Sequence, residues 1–190
     1  MLLKKSLLLK QQRPLKSIMA RLIFSLTNAR AGATIPIEDT SYEDWKKDLS
    51  VDLDGVFLMT REFGKIMIEN KYGRIINISS MYGLVGNSEL PSAAYHVAKG
   101  GVVNFTRAIA GEWAKYGINA NSITPGYFAT PKTEATLATE SFQAHIEKHV
   151  PLKRYAKVEE VASAAVFLSS DEASYVTGVI LPVDGGYTAV

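Results

Sequence analysis

The sequence predicts an α/β fold, a parallel sheet covered by helices on both faces. Two observations carry that prediction. Short, nearly continuous apolar runs occur at 74–80 (RIINISS), 118–126 (INANSITPG) and 179–186 (VILPVDGG), as expected of strands buried on both faces. Between and before them lie segments with helical periodicity, at 41–70, 91–116 and 158–170. Strands alternating with helices build such sheets, and these bind ligands beyond the carboxyl ends of their strands.

The elements follow in order. Ser41 and Asp44 form a capping-box pattern that opens the first long helix. Its apolar positions Trp45, Leu49, Val56, Phe57, Met59, Phe63 and Ile66 recur at helical spacing, and Asn70 to Gly73 end it. The RIINISS strand leads into a loop with Gly83 and Gly86. Pro91 stands where the next helix should begin and Gly117 where it should stop. The second strand closes on Pro125-Gly126. Residues 133–149 are polar and helical, and the run from Lys132 to Lys148 reads as a mobile substrate lid.

Composition bounds the function. The 190 residues are 47% apolar and 21% charged, which fits one globular domain. No cysteine is present, so disulfides, a thiol nucleophile and thiolate zinc sites are excluded, and a reducing, cytoplasmic setting is expected. The net charge of +2 conceals an asymmetry. Residues 1–37 hold seven basic side chains and no acid, leaving 14 basic against 19 acidic residues in the remainder. No basic stripe interleaved with aromatics is visible, so nucleic acid is not an expected partner. No window approaches the roughly 18 apolar residues of a membrane span, so no membrane partner is expected either.

The chemistry gathers at two strand ends. Tyr95 and Lys99 stand four apart on one helical face. A phenol with an ordinary pKa of about 10 is a poor acid–base group at neutral pH, and a neighbouring ammonium favours the phenolate. Ser80, at the end of its strand, is placed to hold a substrate oxygen while the phenol exchanges a proton. Tyr42 and Lys46 share the spacing, yet read as a surface pair. What separates Tyr95 and Lys99 is context: a buried strand, two serines and a glycine-bearing loop precede them, and Gly100-Gly101 follows.

From residue 28 to 190 the chain resembles the short-chain dehydrogenase/reductases, on INISSMYG, YHVAKGG, NSITPGYFAT and LPVDGG in that order. The resemblance implies a doubly wound Rossmann-type parallel sheet and an NAD or NADP cofactor. It implies hydride transfer between nicotinamide and an alcohol or ketone. It makes Tyr95 the general acid/base, Lys99 the residue that holds the cofactor ribose and favours the Tyr95 phenolate, and Ser80, rather than Ser79, the substrate-oxygen ligand. Pro125, Gly126, Phe128 and Thr130 fall in the loop that packs on the nicotinamide. Asn28, Ala29 and Gly32 fall at a further cofactor-contacting turn. Asn121 matches a structural asparagine. The closest look is to gluconate 5-dehydrogenase-type members, acting on a sugar acid or polyol; a 3-oxoacyl reductase is the alternative enzyme. The alternative of another class is an inactive fragment that associates only through its long helices.

Two departures qualify this. The family's active-site asparagine is replaced in VDLDG by Asp52, a carboxylate that cannot donate as an amide does. The expected first strands and glycine-rich phosphate turn are not found: residues 1–27 contain no glycine. The sheet is therefore expected to be incomplete, and the chain is expected to bind NAD or NADP poorly. A targeting peptide is a weaker account of 1–27 than a shifted reading frame. Codons for Met19 to Phe24 can be written ATG GCA AGA TTG ATA TTC, and two bases on they spell GKIDI, the family's fourth strand. The LIFSLT run is apolar enough to occupy that strand's place.

Further features have plainer readings. His145 and His149 lie on a solvated helix face and no metal site is expected. His96 is incidental, and Asp184 belongs to a structural strand end. The helices 41–70 and 91–116 are expected to pair between copies in a homo-oligomer, with Gly100-Gly101, Val102, Val103 and Phe105 at the contact.

Overall fold

The computed structural model describes residues 24–27, 34–87, 91–131 and 133–190. Four parallel strands pair in chain order: β1 (Phe24–Thr27), β2 (Gly73–Ile78), β3 (Ile118–Pro125) and β4 (Ile180–Val183). Helices α1 (Tyr42–Leu49) and α2 (Gly55–Asn70) join β1 to β2, and α3 (Ala93–Trp113) joins β2 to β3. Then α4 (Glu134–Leu137), α5 (Glu140–His149) and α6 (Val158–Ser169) lead to β4.

Alternation along β2 divides the core. Ile75 faces α2 and α3, packing with Met67, Ile109, Ala110, Ile118 and Ala120. Ile76 faces the opposite side, with Ile123 of β3 and Leu168 of α6. Helices thus cover both faces of the parallel sheet, the α/β Rossmann-type arrangement that the pattern predicts. The expected absence of a glycine-rich turn concerns residues 1–23, outside the described residues. Phe24–Thr27 of the LIFSLT run does form a strand, in register with Arg74 to Asn77.

The first long helix differs from its expected form. Ser41 caps it, accepting a hydrogen bond from the Asp44 amide at 3.1 Å. At Ser50–Asp54 the helix widens into a π-helical turn, then resumes as α2. The buried stripe is Val56, Thr60, Gly64 and Met67, while Phe57 and Met59, expected inside, are exposed. Lys71 ends α2 in the left-handed region at φ 52°. Helix α3 begins at Ala93, not at Pro91. Val102 and Val103, expected at a contact between copies, are buried within the chain, and a Cβ on Gly101 would lie 3.0 Å from Leu53. At Gly101, α3 packs closely onto Leu53 of the chain's own first helix.

Candidate active site

The site is built where β2 and β3 end. Ser79 donates its hydroxyl to the Lys99 carbonyl at 2.7 Å, and its amide donates to the Ile123 carbonyl at 2.8 Å. It is a fastener between β2, β3 and α3. Ser80 caps the short 3-10 turn Met81–Gly83, where its oxygen accepts from the Tyr82 amide at 3.2 Å. Gly83 permits the close approach of that turn to α3. A Cβ there would lie 2.7 Å from both the Lys99 carbonyl oxygen and Ser79 Oγ.

Lys99 runs inward from α3 with 2% of its side chain exposed. Its Nζ lies 3.3 Å from Oδ1 of Asp52, which is wholly buried. It also donates to the Ile78 carbonyl at 3.4 Å and lies 5.6 Å from the centre of the Tyr95 ring. The structure therefore brings Asp52, Tyr95 and Lys99 together, with Ser80 two residues beyond Ile78. Asp52 reaches this position from the π-helical turn, and such turns are frequent at functional sites. Two buried ions forgo hydration, so the pair persists because each supplies the other's counter-charge.

The expected nicotinamide loop leaves β3 at Pro125. The Gly126 amide donates to the Val183 carbonyl at 3.0 Å, and a Cβ there would lie 2.7 Å from the Asp184 Cα. Phe128 pairs with Ala156. Thr133 Oγ1 donates to the Phe128 carbonyl at 2.7 Å and lies 2.8 Å from Thr130 Oγ1, so the loop is knitted to itself. Asn121 bridges two segments: its amide donates to the Val176 carbonyl at 2.9 Å and its oxygen accepts from the Val179 amide at 3.0 Å. Asp184 accepts from the Gly186 amide at 2.9 Å and from the Thr188 amide at 3.0 Å, a structural turn as expected. Asn28, Ala29 and Gly32 lie outside the described residues, as does Lys132 of the lid.

One expectation fails here. His145 and His149 are half-buried rather than solvated, their rings 4.6 Å apart, and His145 Nε2 lies 2.9 Å from the Tyr127 hydroxyl. The His96 ring lies 4.8 Å from that of Tyr82 and its Nδ1 lies 2.8 Å from the Ser92 carbonyl oxygen. Sequence reasoning missed Tyr82 and Tyr127 as well. Both sit inside motifs quoted above, one two residues after Ser80 and one directly after Gly126; that adjacency was the available signal. Burial raises the Tyr82 phenol to about 12. Burial also raises the Tyr127 phenol, with its bond to Tyr82 adding to the effect. Both therefore keep their protons at neutral pH. Among the described residues no cluster of His, Asp or Glu could hold a metal ion.

A family model described as enoyl-(acyl carrier protein) reductase matches residues 18–188. Galactitol 2-dehydrogenase of Rhizobium johnstonii is 41% identical over 164 residues, covering 86% of this chain and 64% of that protein. Cyclopentanol dehydrogenase of Comamonas sp. is 43% identical over 170 residues, covering 89% of this chain and 67% of that protein. A gluconate 5-dehydrogenase from Burkholderia cenocepacia, solved with NADP and tartrate, superposes with a TM-score of 0.85 at 33% identity. That match covers 92% of this chain and 69% of the solved one. The chain thus spans about two thirds of the length of these relatives, and slightly less for the galactitol enzyme.

Proposed function

Because the chain belongs to the short-chain dehydrogenase/reductase family, we propose that it serves an NAD(P)-dependent oxidoreductase acting on a hydroxyl or ketone of a sugar acid or polyol. The observation that carries this reading is the buried Lys99 ammonium, set between the Tyr95 ring and Asp52 at the end of β2. An ammonium held by Asp52 beside a phenol, at the carboxyl edge of a parallel sheet, is an arrangement that favours the phenolate.

The donor set fits the nicotinamide half of a dinucleotide. Lys99 offers ammonium N–H groups for ribose hydroxyls, and the Pro125 to Thr130 loop would pack on the nicotinamide. When bound, the nicotinamide gives or takes the hydride. The chain's own residues handle the proton. Ser80 donates a hydrogen bond to the substrate oxygen. Tyr95 takes the hydroxyl proton in the oxidative direction and returns it in the reductive one. Lys99 favours the phenolate that makes this transfer possible at neutral pH. Polyol and sugar-acid chemistry is supported by relatives named for galactitol and gluconate.

The test is spectrophotometric. NADP or NAD reduction is followed with galactitol and gluconate, for the chain translated with its upstream frame restored, the wild type of these assays, and for its Tyr95→Phe variant. General acid–base catalysis contributes about 10²–10⁴-fold, so Tyr95→Phe is expected to lose a factor in that range. Retained turnover in Tyr95→Phe overturns the assignment. We further propose that residues 28–190 are the enzyme-like part, that 1–27 is read out of frame, and that copies associate through α2 and α3. Resequencing the coding DNA decides the frame: an unshifted reading through 1–27 rejects it.

A further inference from the structure

Three hydrogen-bonding rings join the carboxyl ends of the strands to the helix expected to form a lid. Asn87 donates its side-chain amide to the Tyr82 hydroxyl. The Tyr82 and Tyr127 hydroxyls are 2.5 Å apart, and the Tyr127 hydroxyl lies 2.9 Å from Nε2 of His145 on α5. Tyr82 is tied to Ser80 through its own amide. Tyr127 follows Gly126 at the end of β3, and Tyr187 lies just past β4, its ring 5.9 Å from that of Tyr127. All of these stand on the edge of the sheet where ligands of such folds bind.

The proton inventory gives this chain of groups two polarities. With His145 Nε2 accepting, donation runs from Asn87 through Tyr82 and Tyr127 to His145. With Nε2 protonated and donating, Tyr127 donates to Tyr82, and the Tyr82 proton is left for the neighbouring Tyr187 hydroxyl, which also hydrogen-bonds Tyr82, or for a hydroxyl brought by a substrate. A neutral imidazole does this by changing tautomer, and both phenols keep their protons. A wall that can accept or donate at one point suits a hydroxyl group, which itself does both. It has no such match to a bare hydrocarbon.

We infer that Tyr82, Tyr127 and His145 determine specificity, forming the polar wall that receives a second hydroxyl of a polyhydroxylated substrate whose reacting oxygen is held by Ser80. This rests on the oxidoreductase reading above, and it separates the two kinds of relative: a polyol uses the wall, whereas cyclopentanol has no second hydroxyl to present.

The experiment compares wild type with Tyr127→Phe, which removes one oxygen and keeps the ring packed against Phe142 and Tyr187. A melting curve within about 3 °C of wild type checks that the fold is kept. With NADP in excess, kcat/KM for galactitol is expected to fall about 10–100-fold, while kcat/KM for cyclopentanol stays within about threefold. Equal losses on the two alcohols, or no loss on galactitol, overturn the inference. Galactitol binding to both proteins is measured by calorimetry in parallel. If wild type turns over neither alcohol, the oxidoreductase reading fails by itself, and binding decides this one. Binding by wild type that weakens at least tenfold in Tyr127→Phe supports the wall. Equal binding, or no binding to either protein, overturns it.

Discussion

At the scale of single residues, the two adjacent serines have separate duties. Ser79 spends its hydroxyl on the Lys99 carbonyl, whereas Ser80 accepts from the Tyr82 amide and has its own proton to give a substrate. Ser79→Ala is expected to cost about 1 kcal/mol of stability with turnover changed little. Ser80→Ala loses its turn cap, about 1 kcal/mol of stability, and is in addition expected to lower kcat by about 10²-fold, the loss expected for one oxyanion-type donor. Paired melting and kinetic measurements check both, and a reversed pattern would exchange their roles. Asp52 is a finer case. Its type was legible in the sequence as a departure from an amide, but its partner was not, because nothing in VDLDG says that the carboxylate turns toward an ammonium 47 residues on. The 3.3 Å contact makes Asp52 and Lys99 a neutral pair when both are charged, so Lys99 acts on Tyr95 with part of its charge offset. Asp52→Asn keeps an oxygen acceptor for Lys99 and removes the offset. The acidic limb of kcat/KM should then move to lower pH, with kcat retained. A loss of 100-fold in kcat, about 2.7 kcal/mol, would instead give Asp52 a catalytic duty of its own.

At the scale of elements, strands and helices were legible where burial is uniform. The runs at 74–80 and 118–126 mark β2 and β3, which are buried along nearly their whole length, and the run at 179–186 contains β4, which is only partly buried. The π-helical turn was not legible. One extra residue per turn re-phases the helix without changing its composition, so the stripe read from Phe57 and Met59 was the wrong one. The turn at Met81–Gly83 gives a sharper test of how an element positions the site. Adding a Cβ at Gly83 drives it into the Lys99 backbone, whereas a Cβ at Gly86 meets nothing within 4 Å. Gly83→Ala is therefore expected to cost about 1–3 kcal/mol, a fall in Tm of roughly 3–10 °C, and to lower kcat by displacing Lys99. Gly86→Ala should match wild type in both. Equal behaviour of the two variants would mean that the turn does not bear on α3. A pH-dependent element lies at the start of α6. Arg154 hydrogen-bonds the Glu160 carboxylate, and the Lys157 amide adds to this, holding Glu160 down at about 2. A carboxylate lowered on folding stabilises the fold above its unfolded pKa of about 4.3. That contribution is lost as pH falls from there toward about 2. The pair is exposed, so salt screens it and the effect is small. The Tm difference between wild type and Glu160→Gln should be largest at neutral pH and low salt, and should shrink below about pH 4.

At the scale of the whole molecule, a parallel sheet with helices on both faces follows from the alternation of strand and helix signals, but the surface between copies does not. The sequence marks apolar residues without saying which are consumed inside the chain. Val102 and Val103 looked available and are core, while Phe57 and Met59 of α2 looked like core and are 44% and 46% exposed, as are Leu58 of α2 at 46% and Val97 of α3 at 49%. Phe57 meets Phe105 edge-on at 6.3 Å, joining the α2 surface to that of α3. Large apolar side chains exposed on these adjoining helices are of the kind that marks an interaction surface. The occupant best matched to it is a second copy, since two such helix pairs related by a two-fold axis bury the same residues against each other. Sedimentation velocity of the wild-type chain is expected to show a dimer or larger closed assembly. Phe57→Glu should shift it toward monomer, because its ring points outward and a carboxylate there would face its symmetry mate across a dry contact. Val102→Ala, by contrast, should lower the melting temperature with the assembly intact, because that side chain is fully buried within its own chain. A well-folded wild-type monomer at micromolar concentration would reject the interface, and dissociation by Val102→Ala without loss of stability would move it back to the face first read from the sequence.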